Sequence, residues 1–353
     1  MQDSRKLLIL GGILISFFGS YFLRGSNKTN KVFYEDLSRP AKFSEITKKM
    51  NLGSQEIVDQ VMPILQDHLV GRKYDRFFLV SKFIDFYNEN KSSYGSVIEA
   101  FVAFDTRAYD KEKANGVCFA LTQDLLDSLP ENLYAYKIGA ILPGRYQQAG
   151  WHLFPHAAIV IPFENSEDLS DSGYVLLDPN FDISFPVVLR YKADPVEVDM
   201  GRKGLWKFVL RENKIVCHIF LAKTEKHDLI NAIYDTMIYI LKEYQNPEDA
   251  ALKTMIAADR GIPIVSRDEH GKHKAHLKID LRKKVISSSI YEKREPLISF
   301  DDFVAGVKEF DQQFAALMHM NVEFLNNFVR KIIKNADTLD TLYKEYFSLL
   351  NEK

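Results

Sequence analysis

The chain has 353 residues, of which 46% are hydrophobic and 27% charged, and its 46 basic and 48 acidic side chains leave a formal net charge of -2. That balance excludes a disordered chain and allows two or three domain-sized units. It also gives no global field to recruit nucleic acid or to repel it, so charge does not name the partner class, and no nucleic-acid partner is expected in the absence of any motif for one. Two cysteines, Cys118 and Cys217, exclude a disulfide-built secreted scaffold, although one bridge between them stays open and would leave no free thiol.

The first predicted element is the uncharged run Leu7 to Leu23, which follows Arg5 and Lys6 and stops at Arg24. Its length sits at the lower limit for a spanning helix and no clear small-x-small cleavage pattern follows, so the expectation is a single-pass membrane anchor over residues 7–23, ahead of a removed signal peptide or a buried helix. Positive charge on both flanks leaves its orientation open, and Asn27-Lys-Thr and Asn90-Lys-Ser would matter only in a secretory lumen. A polar tether closes this part at residue 31. Residues 32–129 read mainly as helices: Ser44 to Val70 and Phe78 to Phe104 place apolar residues three and four apart, with Gly and Asn breaks.

After Pro130 the period changes. Tyr134 to Leu142, His156 to Phe163, Gly173 to Pro179, Lys207 to Arg211 and Lys214 to Ala222 are short apolar runs bounded by Pro, Gly, Asn and Asp. They predict an antiparallel sheet or small barrel over residues 130–225. The last part, 226–353, is expected to hold a helix from about His227 to Tyr244 and a strand pair, Ile262 to Asp268 and Lys274 to Leu281, turning at Glu269-His-Gly-Lys. Helices should return from Ile298, where Ser299-Phe-Asp-Asp reads as a capping signature. An amphipathic stripe through Phe314, Leu317, Met320, Phe324 and Phe328 follows, read as core packing.

Three residues stand out along this order. Asn115-Gly-Val-Cys118 puts a thiol just after a glycine and at a helix start, where backbone N–H groups and the positive helix end favour a thiolate and can hold an oxyanion. A lone cysteine there is more often a core residue. Pro155-His156 opens a strand whose neighbours are small, so the imidazole can face a cleft and reach a nucleophile on a helix packed against the sheet. His152, in a Trp-containing loop, is the competing base. Asp178 ends the strand expected beside that of His156, with residues 164–173 as the hairpin loop, and can accept the second ring N–H. Taken alone, Asp178-Pro179 is an ordinary turn. Together the three outline a nucleophile, a base and an orienting carboxylate.

The Gly-Val-Cys at a helix start, the strand-start His and the strand-end Leu-Asp-Pro resemble the transglutaminase-like and arylamine N-acetyltransferase branch of the papain-like cysteine enzymes. Residues 114–180 carry the resemblance, and the order of helices, strands and a second strand set extends it loosely over most of the chain. It implies an α+β papain-like fold with a helical N-terminal part, an antiparallel sheet or barrel and a C-terminal strand-plus-helix unit, with Cys118 as nucleophile, His156 as base and Asp178 as orienter. The N-acetyltransferases carry Arg-Gly-Gly-aromatic before the cysteine and aromatic-Glu-x-Asn after it, where this chain has Ala114-Asn-Gly-Val and Phe119-Ala-Leu-Thr. The expected function is thiol-dependent acyl transfer. The acceptor is either an amine or water, a small amine being the expected substrate of a transferase; no tightly bound cofactor is expected, and acyl-CoA is the candidate co-substrate. One alternative is a transglutaminase-like cysteine peptidase or amidase acting on a peptide or amide. A second is a catalytically silent membrane-anchored interaction protein.

Other patterns read as bland. His270, His273 and His276 would not share one face of a strand and are expected as solvated hairpin residues rather than metal ligands. Cys217 and His218 are neighbours on a strand and point to opposite sides. The basic runs at 282–284 and 330–334 read as solvated faces. No phosphate-cradling glycine loop, dinucleotide fingerprint or paired-cysteine metal motif is present.

Overall fold

The computed structural model describes residues 43–351 except 72, 106–114, 117, 142–155, 181–182, 200–203, 221–232, 245–259, 269–272 and 292. The expected α+β architecture is present: N-terminal helices, a large antiparallel sheet, then a smaller sheet backed by C-terminal helices.

In the helical part, strand β1 (Phe43–Glu45) precedes helix α1 (Ser54–Gly71), then β2 (Lys73–Asp75), α2 (Arg76–Asn90), α3 (Val97–Ala103), β3 (Asn115–Gly116) and α4 (Cys118–Ser128). Local chemistry fixes the helix starts. Asp75 accepts from Phe78 N–H at the start of α2, and Ser96 accepts from Glu99 N–H at the start of α3.

The strands expected after Pro130 form as β4 (Tyr136–Ile141), β5 (His156–Glu164), β6 (Ser172–Leu177), β9 (Leu205–Arg211) and β10 (Lys214–Phe220), together with the four-residue strands β7 (Val187–Arg190) and β8 (Val196–Asp199). The helix expected from about His227 to Tyr244 is not what forms. Residues Ile233–Tyr244 make a twelve-residue strand, β11, buried at Met237, Tyr239 and Leu241 with the two-residue period of a strand. It pairs with β10, β4 and β1, which makes it the central strand of a nine-stranded sheet in the order β7-β6-β5-β4-β11-β10-β9-β8. The sheet curls until β7 approaches β8 and β9, nearly closing a barrel around Ile138, Val160, Leu176, Trp206, Phe208, Ile215 and Tyr239. Its outer face at β5 and β6 (Ile159, Ile161, Phe163, Val175, Leu177) packs against α1 and α4 through Ile57, Val61, Leu65 and Leu125.

The second sheet contains the expected pair, β12 (Gly261–Arg267) and β13 (His273–Asp280), whose connecting turn lies outside the described residues. Three further strands, β14 (Val285–Ile290), β15 (Lys293–Arg294) and β16 (Ile298–Ser299), extend one side. On the other side β12 takes up β2, and β2 pairs in parallel with β3. The chain therefore enters the Cys118 helix directly from an edge of this sheet. Helices α5 (Phe300–Val304), α6 (Gln312–Leu317), α7 (Val322–Lys334) and α8 (Ala336–Asn351) complete the unit. Ser299 caps α5 as expected, but Asp311 and Asn321 open new helices and break the expected stripe into pieces. Phe314 is buried, whereas Phe324 is 55% exposed.

The membrane expectation is corrected. No helix among the described residues is long and apolar enough to cross a membrane. The longest, α1, has 18 residues and carries Glu56, Asp59 and Asp67, where a span needs about 20 predominantly apolar residues. Residues 7–23, on which the anchor was expected, lie outside the described residues.

Candidate functional site

Strand alternation puts the two polar partners on one surface. Along β5, Ala158 and Val160 face the barrel interior while Ala157 and Ile159 face outward, and along β6 Tyr174 and Leu176 face inward. His156 and Asp178 continue the inward-facing rows at the ends of these adjacent strands. Their side chains meet, with His156 Nε2 at 2.6 Å from Asp178 Oδ2. Both are buried, Asp178 completely and His156 to 4% exposure.

A buried carboxylate is tolerated only when its oxygens are satisfied. Besides the imidazole, Oδ2 accepts from the Tyr239 hydroxyl at 2.8 Å and Oδ1 accepts from Asn180 N–H at 3.1 Å. Tyr239 comes from β11. In register, Ala140 of β4 pairs with His156 on one side and Tyr239 on the other, and its single methyl group lets the two rings approach edge to face, 6.3 Å apart. Burial and the charge of Asp178 hold the Tyr239 hydroxyl well above its ordinary pKa, with Cys217 adding to the effect, so it donates as a phenol.

Cys118, 2% exposed, is the first residue of α4, and its thiol hydrogen-bonds with the His156 ring. With Nε2 committed to Asp178, Nδ1 is the ring nitrogen left for sulfur. Burial alone would lower the imidazole pKa. The charge and hydrogen bond of Asp178, then the hydrogen bond and charge of Cys118, outweigh it and raise the value to about 10. The balance of these influences favours the protonated ring.

A polar lattice fixes the helix start to the strand. The Asn180 amide nitrogen lies 3.1 Å from Thr122 Oγ1, 3.2 Å from the Ala157 carbonyl and 3.4 Å from the Cys118 carbonyl. Thr122 Oγ1 in turn donates to the Ala157 carbonyl at 3.0 Å. From the second sheet, Arg267 Nη2 donates to the Asn180 carbonyl at 3.4 Å.

All three candidates picked out from the sequence, Cys118, His156 and Asp178, thus come together. His152 lies outside the described residues, as does His270. His273 and His276 sit on β13, and no group among the described residues could hold a metal ion. Neither cysteine is in a disulfide, so no bridge consumes the Cys118 thiol. Cys217 is fully buried inside the barrel, where burial and the Asp178 charge push its thiol pKa up, while its neighbour His218 approaches Thr236. The basic turn at 282–284 is exposed. Three contributors were not foreseen: Tyr239, hidden in a segment read as helix, and Asn180 and Thr122, which carry no signal beyond the turn-forming Asp-Pro-Asn. The alternation of Met237, Tyr239 and Leu241 could have revealed the first.

No family model and no curated protein sequence matches the chain. Among solved structures it is similar to the arylamine N-acetyltransferase from Salmonella typhimurium, at 11% identity and a TM-score of 0.43, over 87% of this chain and 98% of that one. It is also similar to the arylamine N-acetyltransferase of M. smegmatis, at 10% identity and 0.42, over 88% and 96%, and to that of Mycobacterium marinum, at 10% and 0.40, over 86% and 99%.

Proposed function

We propose that the chain is a thiol-dependent acyltransferase in which Cys118 is the nucleophile, His156 the general base and acid, and Asp178 the orienting carboxylate. The observation that carries this reading is the buried imidazole held between a carboxylate at 2.6 Å and the thiol at the start of α4. Taking an ion pair out of water costs stability, and a hydrophobic replacement would serve packing better. A buried imidazole shared by a thiol and a carboxylate is an arrangement that nucleophilic catalysis uses.

The chemistry follows from those positions. The Cys118 thiolate attacks the acyl carbon of a thioester such as acyl-CoA, forming a carbon–sulfur bond, and N–H groups of the first turn of α4 face the oxyanion. Collapse breaks the bond to the departing thiol, which takes the proton held by His156. An amine then attacks the acyl-cysteine, gives its proton to His156, and the Cys118 sulfur leaves as thiolate. Asp178 holds the ring in one orientation through both steps.

The test is intact-mass analysis after incubation with a series of acyl-CoA thioesters. One acyl group should add to the wild type and none to Cys118→Ala or His156→Ala, and a small primary amine should discharge the adduct as an amide. Discharge by water alone would favour the hydrolase. No adduct with any thioester or activated amide would leave the interaction-protein reading.

A further inference from the structure

Asn180 stands immediately beyond the Asp178-Pro179 turn, and its side chain is the junction of the lattice around the thiol. Its two amide hydrogens are shared among three oxygens on two elements: the Cys118 carbonyl and Thr122 Oγ1 on α4, and the Ala157 carbonyl on β5, the residue next to His156. The amide orientation follows from this environment. Turned over, its oxygen would face two carbonyl oxygens, and Thr122 Oγ1 already spends its proton on Ala157. In the orientation that satisfies them, Asn180 Oδ1 is buried with no hydrogen-bond partner among the described residues. An acceptor left without a donor in a buried place is a cost, so the side chain is held for its donating half.

The backbone of the same residue ties down the third member. Asn180 N–H donates to Asp178 Oδ1, and Arg267 from the second sheet holds the Asn180 carbonyl. One residue therefore touches the element that carries the thiol, the element that carries the imidazole and the carboxylate that holds that imidazole. We infer that Asn180 is a positioning residue that sets the distance between the Cys118 sulfur and the His156 ring. It does so by clamping the first turn of α4 to the start of β5. This rests on the reading of Cys118 and His156 as nucleophile and base. Proton transfer and ion pairing depend steeply on such distances, and a few tenths of an ångström of slippage weakens the pair without unfolding the chain.

The test measures the pH profile of iodoacetamide alkylation at Cys118 by mass spectrometry, with Cys217 as internal reference and thermal unfolding run in parallel. The charged and titratable groups that face this position are His156 from β5, Asp178 after β6, Tyr239 from β11 and Arg267 from β12, and all are retained in the variant Asn180→Ala. Wild-type Cys118 should react faster at neutral pH than Cys217, and His156→Ala should abolish the difference. In Asn180→Ala the profile should move toward higher pH and the rate at neutral pH should fall about tenfold, equivalent to roughly 1.4 kcal/mol. Thr122→Val, which removes one of the three acceptors, should give a smaller shift of the same sign.

An Asn180→Ala profile that superimposes on the wild type, while His156→Ala changes it, overturns the positioning role and leaves the proposed nucleophile standing. A melting point lowered with an unmoved profile does the same, since it marks a purely structural residue. If Asn180→Ala does not fold, Asn180→Ser, which keeps a short donor, must show the shift. Wild-type cysteines that react alike remove the nucleophile itself, and the inference with it.

Discussion

His156 shows how competing terms are settled at a single side chain. Burial opposes its charge, yet the partners on its two sides prevail and lift its pKa to about 10, against 6.5 for a free imidazole. The folded chain therefore binds a proton that the unfolded chain releases, over the window from about 6.5 to about 10. In that window stability falls as pH rises, with a slope of up to about 1.4 kcal/mol per pH unit. Below the window the contribution of the ion pair is fully present. Urea unfolding at several pH values across this range should show the slope in the wild type and lose it in His156→Gln, which retains polar bulk but cannot be protonated. Identical slopes in the two proteins would mean that the imidazole is not held charged. Tyr239 supports the same state from the other strand, since its hydroxyl gives Asp178 Oδ2 a second donor that remains a donor over the whole range.

At the scale of elements, side chains from other parts of the chain satisfy helix-start donors that the local caps do not reach. Gly53 N–H donates to Glu56 within the first turn of α1, but the next donor, Ser54 N–H, goes to Asp171 Oδ2 at 2.8 Å, in the β5–β6 hairpin. Arg190 of β7 braces that carboxylate at 2.8 Å and donates also to Ser54 Oγ. Burial raises the Asp171 pKa somewhat, and the bonds from Ser54 and Arg190 overcome this and leave it lowered. Asp171→Ala should thus cost about 1–2 kcal/mol near neutrality, the range for a lost helix cap. In the wild type this contribution is complete above the ordinary carboxylate pKa of 3.8 and is lost as pH falls through the depressed value. Denaturant midpoints of the two proteins should converge in acid, and a gap that persists there would assign the loss to packing instead. Much of this level was legible in the sequence. The runs that became β4, β5, β6, β9 and β10 are apolar and sharply punctuated by Pro, Gly and Asp, so they have no helical alternative. In Ile233–Tyr244, apolar residues at 233, 237, 240 and 244 fit a helical face while 237, 239 and 241 fit a strand, and the pairings with β10, β4 and β1 decide between them. Strands as short as β2 and β3 leave no pattern to read. Cys118, His156 and Asp178 were visible because each is a titratable side chain at the end of an apolar element, whereas Asn180 is an amide that any turn could carry.

At the scale of the whole molecule, the site lies where two cores touch. Cys118 and Phe119 belong to the core built by α2, α3, the second sheet and the C-terminal helices, in which Phe119 packs against Tyr244 at 5.5 Å. His156 and Asp178 close the barrel interior, so the spacing of thiol and imidazole depends on how firmly the outer parts of the chain hold α2 to α4 in place. One tie joins parts far apart in the sequence: Glu345 of α8 accepts from Ile98 N–H at 2.7 Å, a first-turn donor of α3 that Ser96, engaged with Glu99 N–H, does not reach. Its carboxyl pKa is raised, first by burial and then by the charge of Glu99, with the Ile98 hydrogen bond acting in the opposite sense. The folded chain therefore favours the charged form less than the unfolded chain does, and the stability tied to this group falls as pH rises through the carboxylate range. Glu345→Gln keeps an oxygen for Ile98 N–H and sheds the repulsion, so it should be neutral or slightly stabilising at neutral pH and should flatten that slope. Glu345→Ala leaves the donor without its partner and should cost about 1 kcal/mol, read from thermal or urea unfolding. If the two variants are equally destabilised, the charge and not the hydrogen bond joins the last helix to α3, because only the bond survives in the glutamine.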